Sequence, residues 1–230
     1  MSHSEFQRDP LTMIDEYSAR ARQSVAGRDA SLLIGRALFE NTLGAHAKIL
    51  VVGAGWGDEI AALATANPGW QFVGVDVSED MLRLARSRFA TAPLPNTIAL
   101  HHTDVRDLDD ENFDAATCIL TLHFIADDGA KLAMLQAIHQ RLKPGGPFFV
   151  VDGIRDLDDA AFQEHVAAWK RHALNNGMPG EMVEPMVANT ITLPLVSEQR
   201  EVELLHEAGF GKIRKVYQGL HVNGWLAVGT

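Results

Sequence analysis

The chain is predicted to be an α/β protein with a mostly parallel sheet, helices on both faces and an antiparallel hairpin at its C-terminal end. Two observations carry this. Five short strand-like runs, Ile49 to Val52, Phe72 to Val75, Ile98 to His101, Ala115 to Leu120 and Phe148 to Val151, alternate with helical patterns. Strands joined by helical crossovers pair in parallel. After them, Lys212 to Gln218 and Gly224 to Val228 can pair as a hairpin whose turn is expected near Asn223-Gly224. With 230 residues, one domain with extensions fits better than two small ones.

The elements follow in order. Leu11 to Ala26 and Ser31 to Leu43 read as two helices, the second with Leu32, Leu33, Leu38 and Phe39 on an apolar face and Gly44 as its stop. Residues 1–47 form an N-terminal helical extension and residues 48–152 a core. Between the second and third strands, Ser78 is the expected N-cap, Glu79 and Asp80 suit the helix dipole, and Leu82, Ala85 and Phe89 make a core stripe. Leu132, Leu135, Ile138 and Leu142 do the same between the fourth and fifth strands, before Lys143-Pro-Gly-Gly146 breaks the helix. Residues 153–196 read as a cap: a helix bearing Phe162, Val166, Trp169 and Ala173, then a piece containing Met178, Met182 and Met186. Methionines adapt to irregular ligands, so substrate choice is expected to map to the segment Met178 to Pro194, with Met182 and Met186 as its probes and ordinary core or a subunit contact as the alternative for the methionines. Residues 197–230 supply a helix ended by Gly209, with Phe210 behind it, and the closing hairpin.

The most informative stretch is Lys48 to Leu63, strand, glycine turn and helix, followed by a second strand ending in Asp76. Glycines 53, 55 and 57 allow a tight turn and close approach of a ligand to backbone, and an acid at the next strand's end suits a ribose diol. A dinucleotide fingerprint needs Gly-x-Gly-x-x-Gly, but Asp58 holds the last glycine position with Glu59 behind it. Two carboxylates would repel a pyrophosphate, and no lysine is present for a Walker loop. S-adenosylmethionine (SAM), which carries adenine, ribose and a cationic sulfonium without phosphate, fits best. A nicotinamide dinucleotide and a purely structural turn remain the alternatives.

Composition bounds the partners. Apolar residues are 47% and charged residues 22% of the chain, so a packed core is expected rather than disorder. A net charge of −10 with no Lys/Arg run makes nucleic acid an improbable partner and favours a small molecule. The one cysteine, Cys118, excludes an internal disulfide and fits a reducing cytoplasm. No signal-peptide stretch opens the chain and no segment is long and apolar enough for a membrane span. His101 and His102 are adjacent on a strand and point to opposite faces, and no histidine spacing suggests a metal.

The ordered set Val52-Gly-Ala-Gly-Trp-Gly57, Val75-Asp-Val-Ser-Glu-Asp-Met-Leu82, His102-Thr-Asp-Val-Arg106, Phe113-Asp114 and Leu142-Lys-Pro-Gly-Gly146 resembles the class I SAM-dependent methyltransferases over residues 48–152. The resemblance implies a Rossmann-like fold, five parallel strands plus a late antiparallel hairpin, SAM as cofactor and a methyl acceptor as substrate. Outside the core, Ser24-Val-Ala-Gly-Arg28, Leu120-Thr-Leu-His-Phe124, Ala208-Gly-Phe210 and Gly224-Trp-Leu-Ala-Val228 look like the carboxy-SAM synthases of tRNA wobble-uridine modification. Those enzymes hold an added carboxylate with an arginine expected in the helix before Ala208. Here that helix reads Glu201-Val-Glu-Leu-Leu-His206, an acid that would repel it. Ordinary methyl transfer is therefore the preferred reading. A carboxy-SAM-type enzyme, a partner in tRNA modification, a non-catalytic SAM-binding module and a homodimer stand as alternatives.

The resemblance assigns roles. Gly53, Ala54 and Gly55 pass under the methionine and ribose, Asp76 accepts the ribose hydroxyls, or else merely caps a helix, and Val77 and Met81 sandwich adenine, although Met81 also suits the core. Asp104 takes the adenine amino group and the Val105 N–H a ring nitrogen; a solvated loop acid is the alternative for Asp104. Many relatives carry an acid two residues before the first glycine, but here that position is Val51. The ammonium group is then left to the carbonyls of Gly53 and Cys118, with Arg28 for the carboxylate or else in a surface salt bridge. His123, after the fourth strand, is the expected base where the acceptor carries a proton, with packing as its alternative.

Overall fold

The computed structural model describes residues 9–155 and 160–229. Seven strands form one sheet in the order β3-β2-β1-β4-β5-β7-β6. Strands β1 (Lys48–Val52), β2 (Gln71–Asp76), β3 (Thr97–His102), β4 (Ala115–Ile119) and β5 (Pro147–Gly153) run parallel. The pair β6 (Phe210–Gly219) and β7 (Val222–Gly229) joins antiparallel to β5. Seven strands with helices on both faces match the expected fold class.

The helices are α1 (Pro10–Ser24), α2 (Arg28–Glu40), α3 (Asp58–Ala64), α4 (Glu79–Thr91), α5 (Ala130–Arg141), α6 (Ala160–Asn175), α7 (Gly180–Ile191) and α8 (Glu198–Glu207). Capping sets several starts: Asp9 accepts from the Thr12 N–H, Ser78 from Met81 and Ser197 from Arg200. Alternation along each strand divides the core, because successive side chains point to opposite faces. Leu50, Cys118, Phe148 and Val150 face α5 and α8, where they meet Leu135, Ile138 and Leu204. Ile49, Val51, Ile119 and Phe149 face the other way, against Leu32 and Phe39 of α2 and Ile60 and Leu63 of α3.

Several boundaries differ from the sequence reading. The first helix ends at Ser24, two residues earlier than the spacing suggested, and the second starts at Arg28, three residues earlier, leaving Val25-Ala26-Gly27 as the connection. The hairpin turns at Leu220-His221, not at Asn223-Gly224, which lie inside β7 opposite Gln218 and Tyr217. Gly224 serves packing instead: a Cβ there would stand 3.1 Å from Val151 and 3.2 Å from Tyr217. Strand β4 stops at Ile119 because Leu120 takes a left-handed φ of 55°, which no strand accommodates.

Candidate active site

The sheet order places β1 between β2 and β4, where the winding reverses, and ligands in such sheets bind outside the carboxyl ends of the strands at that point. A cavity of about 790 Å³ opens there, within the size range of small-molecule sites. Its wall includes Arg28, Gly53, Ala54, Gly55, Asp76, Val77, Met81, Asp104, Val105 and His123. Of the residues assigned from sequence to the cofactor or to the base, Cys118 is missing from that wall. It lies within β4, in register with Val52 and Val150, and the wall begins at Ile119. The carbonyl assigned to the ammonium group therefore belongs to a residue that does not line the cavity, and its thiol is pushed up by burial.

The glycine turn is pinned at both ends. The N–H groups of Gly53 and Ala54 both donate to the Val75 carbonyl, at 2.9 and 3.0 Å. Asp76 accepts from the Gly55 N–H through Oδ2 and from the Ser78 N–H through Oδ1, each at 2.8 Å. One carboxylate thus ties the loop to the start of α4 and keeps spare lone pairs for a ligand. Gly53 has φ 73°, and a Cβ there would stand 2.0 Å from Thr121 Oγ1. Gly55 has φ 53° and open space where a Cβ would go, with no atom nearer than 3.8 Å. That open cradle beside a strand-end carboxylate fits SAM, which needs backbone to lie against and a partner for its ribose.

Asp104 caps the 3₁₀ turn Val105–Asp107, and Arg106 binds both of its oxygens at 2.8 and 2.9 Å. The guanidinium holds this carboxyl below its ordinary range. Arg28 is buried rather than superficial: its Nη1 lies 2.8 Å from Asp58 Oδ2, and the guanidinium sits 5.8 Å from the centre of the Trp56 ring. Asp58 is further approached by Arg88 at 3.4 Å, so the repulsion of phosphate expected from it is offset by its ion pairs. Glu59 is buried in the same wall with Oε1 lacking a partner, and burial pushes it up to about 7 against a hydrogen bond from Thr117.

At the other end stands His123, on a 3₁₀ turn after β4. Its Nδ1 lies 2.5 Å from Oδ1 of Asp152, a residue of β5 that is 1% exposed. With Nδ1–H donating to Asp152, Nε2 keeps its lone pair. His221, in the hairpin turn, reaches the wall against the Trp169 ring at 4.0 Å. Burial, then the neighbouring His165 and His123, push it down to about 4, so it is neutral. In α8, Glu201 is fully buried with both oxygens unpartnered, and burial and the charge of Asp152 raise its carboxyl. Fully buried Lys131 donates to the Pro194 carbonyl at 3.2 Å and offsets part of that charge.

The roof comes from α6, α7 and the segment after it: Trp169, Asn189, Thr190, Leu193 and Leu195. Trp169 Nε1 donates to the Ser24 carbonyl at 2.5 Å and the Tyr217 hydroxyl to that of Ala26, which fixes the connection leading into Arg28 at the start of α2. The methionines expected to choose the substrate are elsewhere. Met178 and Met186 pack with Ala173 and Val183 in a small core between α6 and α7, and Met182 is exposed. Asp152, His221 and Trp56 were not singled out by sequence reasoning. Asp152 had a signal: it is the lone charge closing the apolar run Pro147–Val151, at the strand end where this architecture binds ligands.

Residues 50–148 match the family described as methyltransferase domain. Residues 50–148 thus carry a methyltransferase domain, and the sheet around it has the fold of the class I SAM-dependent methyltransferases. SAM is the cofactor of this domain, and the glycine turn and Asp76 lie inside the matched span, whereas Asp152, the roof and His221 lie outside it. A demethylmenaquinone methyltransferase of Symbiobacterium thermophilum is 34% identical over 107 residues, 45% of this chain and 41% of the relative. The chain therefore spans less than half of that relative's length. A carboxy-S-adenosyl-L-methionine synthase of Campylobacter fetus is 25% identical over 224 residues, 97% of this chain and 93% of the relative. Among solved structures, a SAM-dependent methyltransferase from Aquifex aeolicus superposes with a TM-score of 0.64 at 18% identity, covering 97% of this chain and all of the other, which supports the fold. No described helix is long and apolar enough to cross a membrane, and no group of three His, Cys, Asp or Glu is gathered for a metal among the described residues.

Proposed function

We propose that the methyltransferase domain methylates an uncharged, largely apolar small molecule whose accepting atom gives up a proton to His123. The observation that carries this is the His123–Asp152 pair, a buried carboxylate 2.5 Å from a histidine whose other nitrogen is left for the cavity. SAM supplies an electrophilic methyl group on a sulfonium with a good, neutral leaving group, so positioning is the main demand on the protein. The chain meets it by holding the cofactor between Asp76, Gly55, Val77 and Met81 and the acceptor beneath Trp169, Leu193 and Leu195. His123 accepts the acceptor's proton, Asp152 holds the imidazole and balances the charge it gains, and neutral His221 orients a polar group. Residues 153–196 act as the cap of a single domain through Leu193 and Leu195, not through the methionines.

The acceptor's lack of charge follows from the lining. Beyond Arg28, which is committed to Asp58, no Lys or Arg side chain lines the cavity among the described residues. An anionic acceptor would be desolvated there without a counter-ion. The carboxy-SAM reading draws support from the near full-length likeness to the Campylobacter protein. Against it stand Glu201 in the helix expected to bear an arginine, and Arg200 beside it, which is spent on Asp127 at 2.8 Å. Mass spectrometry of reactions with SAM and fractionated small-molecule extract separates the two. A fraction compound gaining one methylene unit supports methyl transfer, and a SAM derivative gaining a carboxyl group rejects it.

A further inference from the structure

We infer that Glu59 receives the α-ammonium of the cofactor's methionine portion, standing in from α3 for the carboxylate that β1 lacks at Val51. The placement follows from register. Val51 faces the α2 and α3 side of the sheet with Ile49 and Ile60. In the parallel pairing of β1 with β4, Val51 is matched to Thr117, whose side chain belongs to the same face. Thr117 is the residue that hydrogen-bonds the Glu59 carboxylate. The acid of α3 therefore reaches over the strand position that an acid on β1 would have occupied.

The state of Glu59 points to a ligand. It is 6% exposed, it lines the cavity next to Gly53 and Arg28, and its Oε1 has no hydrogen-bond partner. A buried carboxylate with an idle oxygen is costly unless something cationic comes to it. Across the same wall Arg28 has an unpartnered Nε, which suits the carboxylate end of a zwitterion. An amino acid offers both charges at once, and neither adenine nor ribose does. The raised pKa of Glu59, about 7, is what such a group shows before its cation arrives. The groups facing it are Arg28 from α2, Asp58 on its own helix, and Thr117 and Cys118 from β4, with Arg88 of α4 acting through Asp58.

The proposal rests on SAM binding in this cavity, and the probes separate the two questions. Calorimetry would use S-adenosylhomocysteine, which carries the amino acid, and 5′-methylthioadenosine, which does not. Glu59→Gln should weaken the first by about tenfold or more and the second by less than about twofold. Equal losses for both probes, or no loss for either, would overturn the proposal. The wild-type protein gives an independent arm that does not depend on the variant folding. With a pKa of about 7, Glu59 is mostly protonated at pH 6 and mostly ionised at pH 8, so the affinity ratio of the two probes should rise about tenfold between them. A flat ratio would overturn the proposal. If wild-type protein binds neither probe, the cofactor site itself is wrong and the proposal falls with it.

Discussion

At the β1–β3 end of the cavity the wall is largely backbone, with its N–H groups tied to Val75 and Asp76 within a stretch of 24 residues from Gly53 to Asp76. At the β4–β5 end each functional group is a side chain from a different element: His123 after β4, Asp152 on β5, Trp169 on α6 and His221 in the hairpin turn. The difference separates two jobs. Under the proposed function, a cofactor that never changes is held by a loop whose geometry is fixed locally, while the acceptor would be met by side chains that can vary without disturbing that loop.

The comparison breaks most visibly at the glycine turn. Gly55→Val should remove detectable S-adenosylhomocysteine binding, a loss of more than about 100-fold, because a branched side chain would enter the open cradle and resist the φ of 53°. Thermal denaturation should show the fold retained, and unaltered affinity would remove the turn from the site. At the other end, Asp152→Asn should cut methyl transfer by about 10²-fold or more while cofactor affinity stays within about threefold. An amide can present the wrong group to Nδ1, so the pH profile of the rate should change as well. A parallel loss of cofactor binding would mean that the two ends are not separable.

Smaller effects sharpen the same contrast. Asp76→Ala should weaken S-adenosylhomocysteine by about 10- to 150-fold, roughly 1.5–3 kcal/mol, as a charge-assisted ribose contact is lost. Because Asp76 also ties Gly55 to Ser78, part of that loss should show as a lower Tm. Glu201→Gln should touch neither ligand but change stability with pH. The folded-state pKa of Glu201 is raised, so the folded chain keeps a proton that the unfolded chain releases above the ordinary value of 4.5. Wild-type stability therefore falls as pH rises from about 5 towards 8. The variant should melt higher than wild type at pH 8, by roughly 2–4 °C per kcal/mol relieved, and no higher at pH 4. Scanning calorimetry at the two pH values checks the sign.

The contrast also explains what could be read in advance. Strands, crossovers and the Gly53–Asp76 loop announce themselves through periodicity and short-range spacing, and the places of Arg28 and His123 on the cavity wall followed from their positions beside those elements. The partner of His123 was not legible because Asp152 is 29 positions away and meets it only through the β4–β5 pairing. His221 was hidden by the misplaced hairpin turn: Asn223-Gly224 is a strong turn signal, yet close packing of Gly224 against Val151 and Tyr217 outweighs it. The methionines misled because adaptability in a side chain serves an irregular core as well as a ligand. The burial of Glu59 could not be seen either, since a carboxylate in the first turn of a helix ordinarily faces water.

The separation of cofactor binding from acceptor chemistry is tested most directly by one paired measurement on wild type and His123→Gln. Each protein is given SAM labelled in its methyl group together with the small-molecule fraction that supports turnover, and labelled product is followed beside S-adenosylhomocysteine affinity. The expected result is labelled product from wild type, its loss by about 10²- to 10⁴-fold in the variant, and cofactor affinity unchanged within about threefold. Product formation undiminished in His123→Gln, or a variant that loses cofactor and product together, would contradict the assignment of His123 and Asp152 as the proton-handling pair of this site.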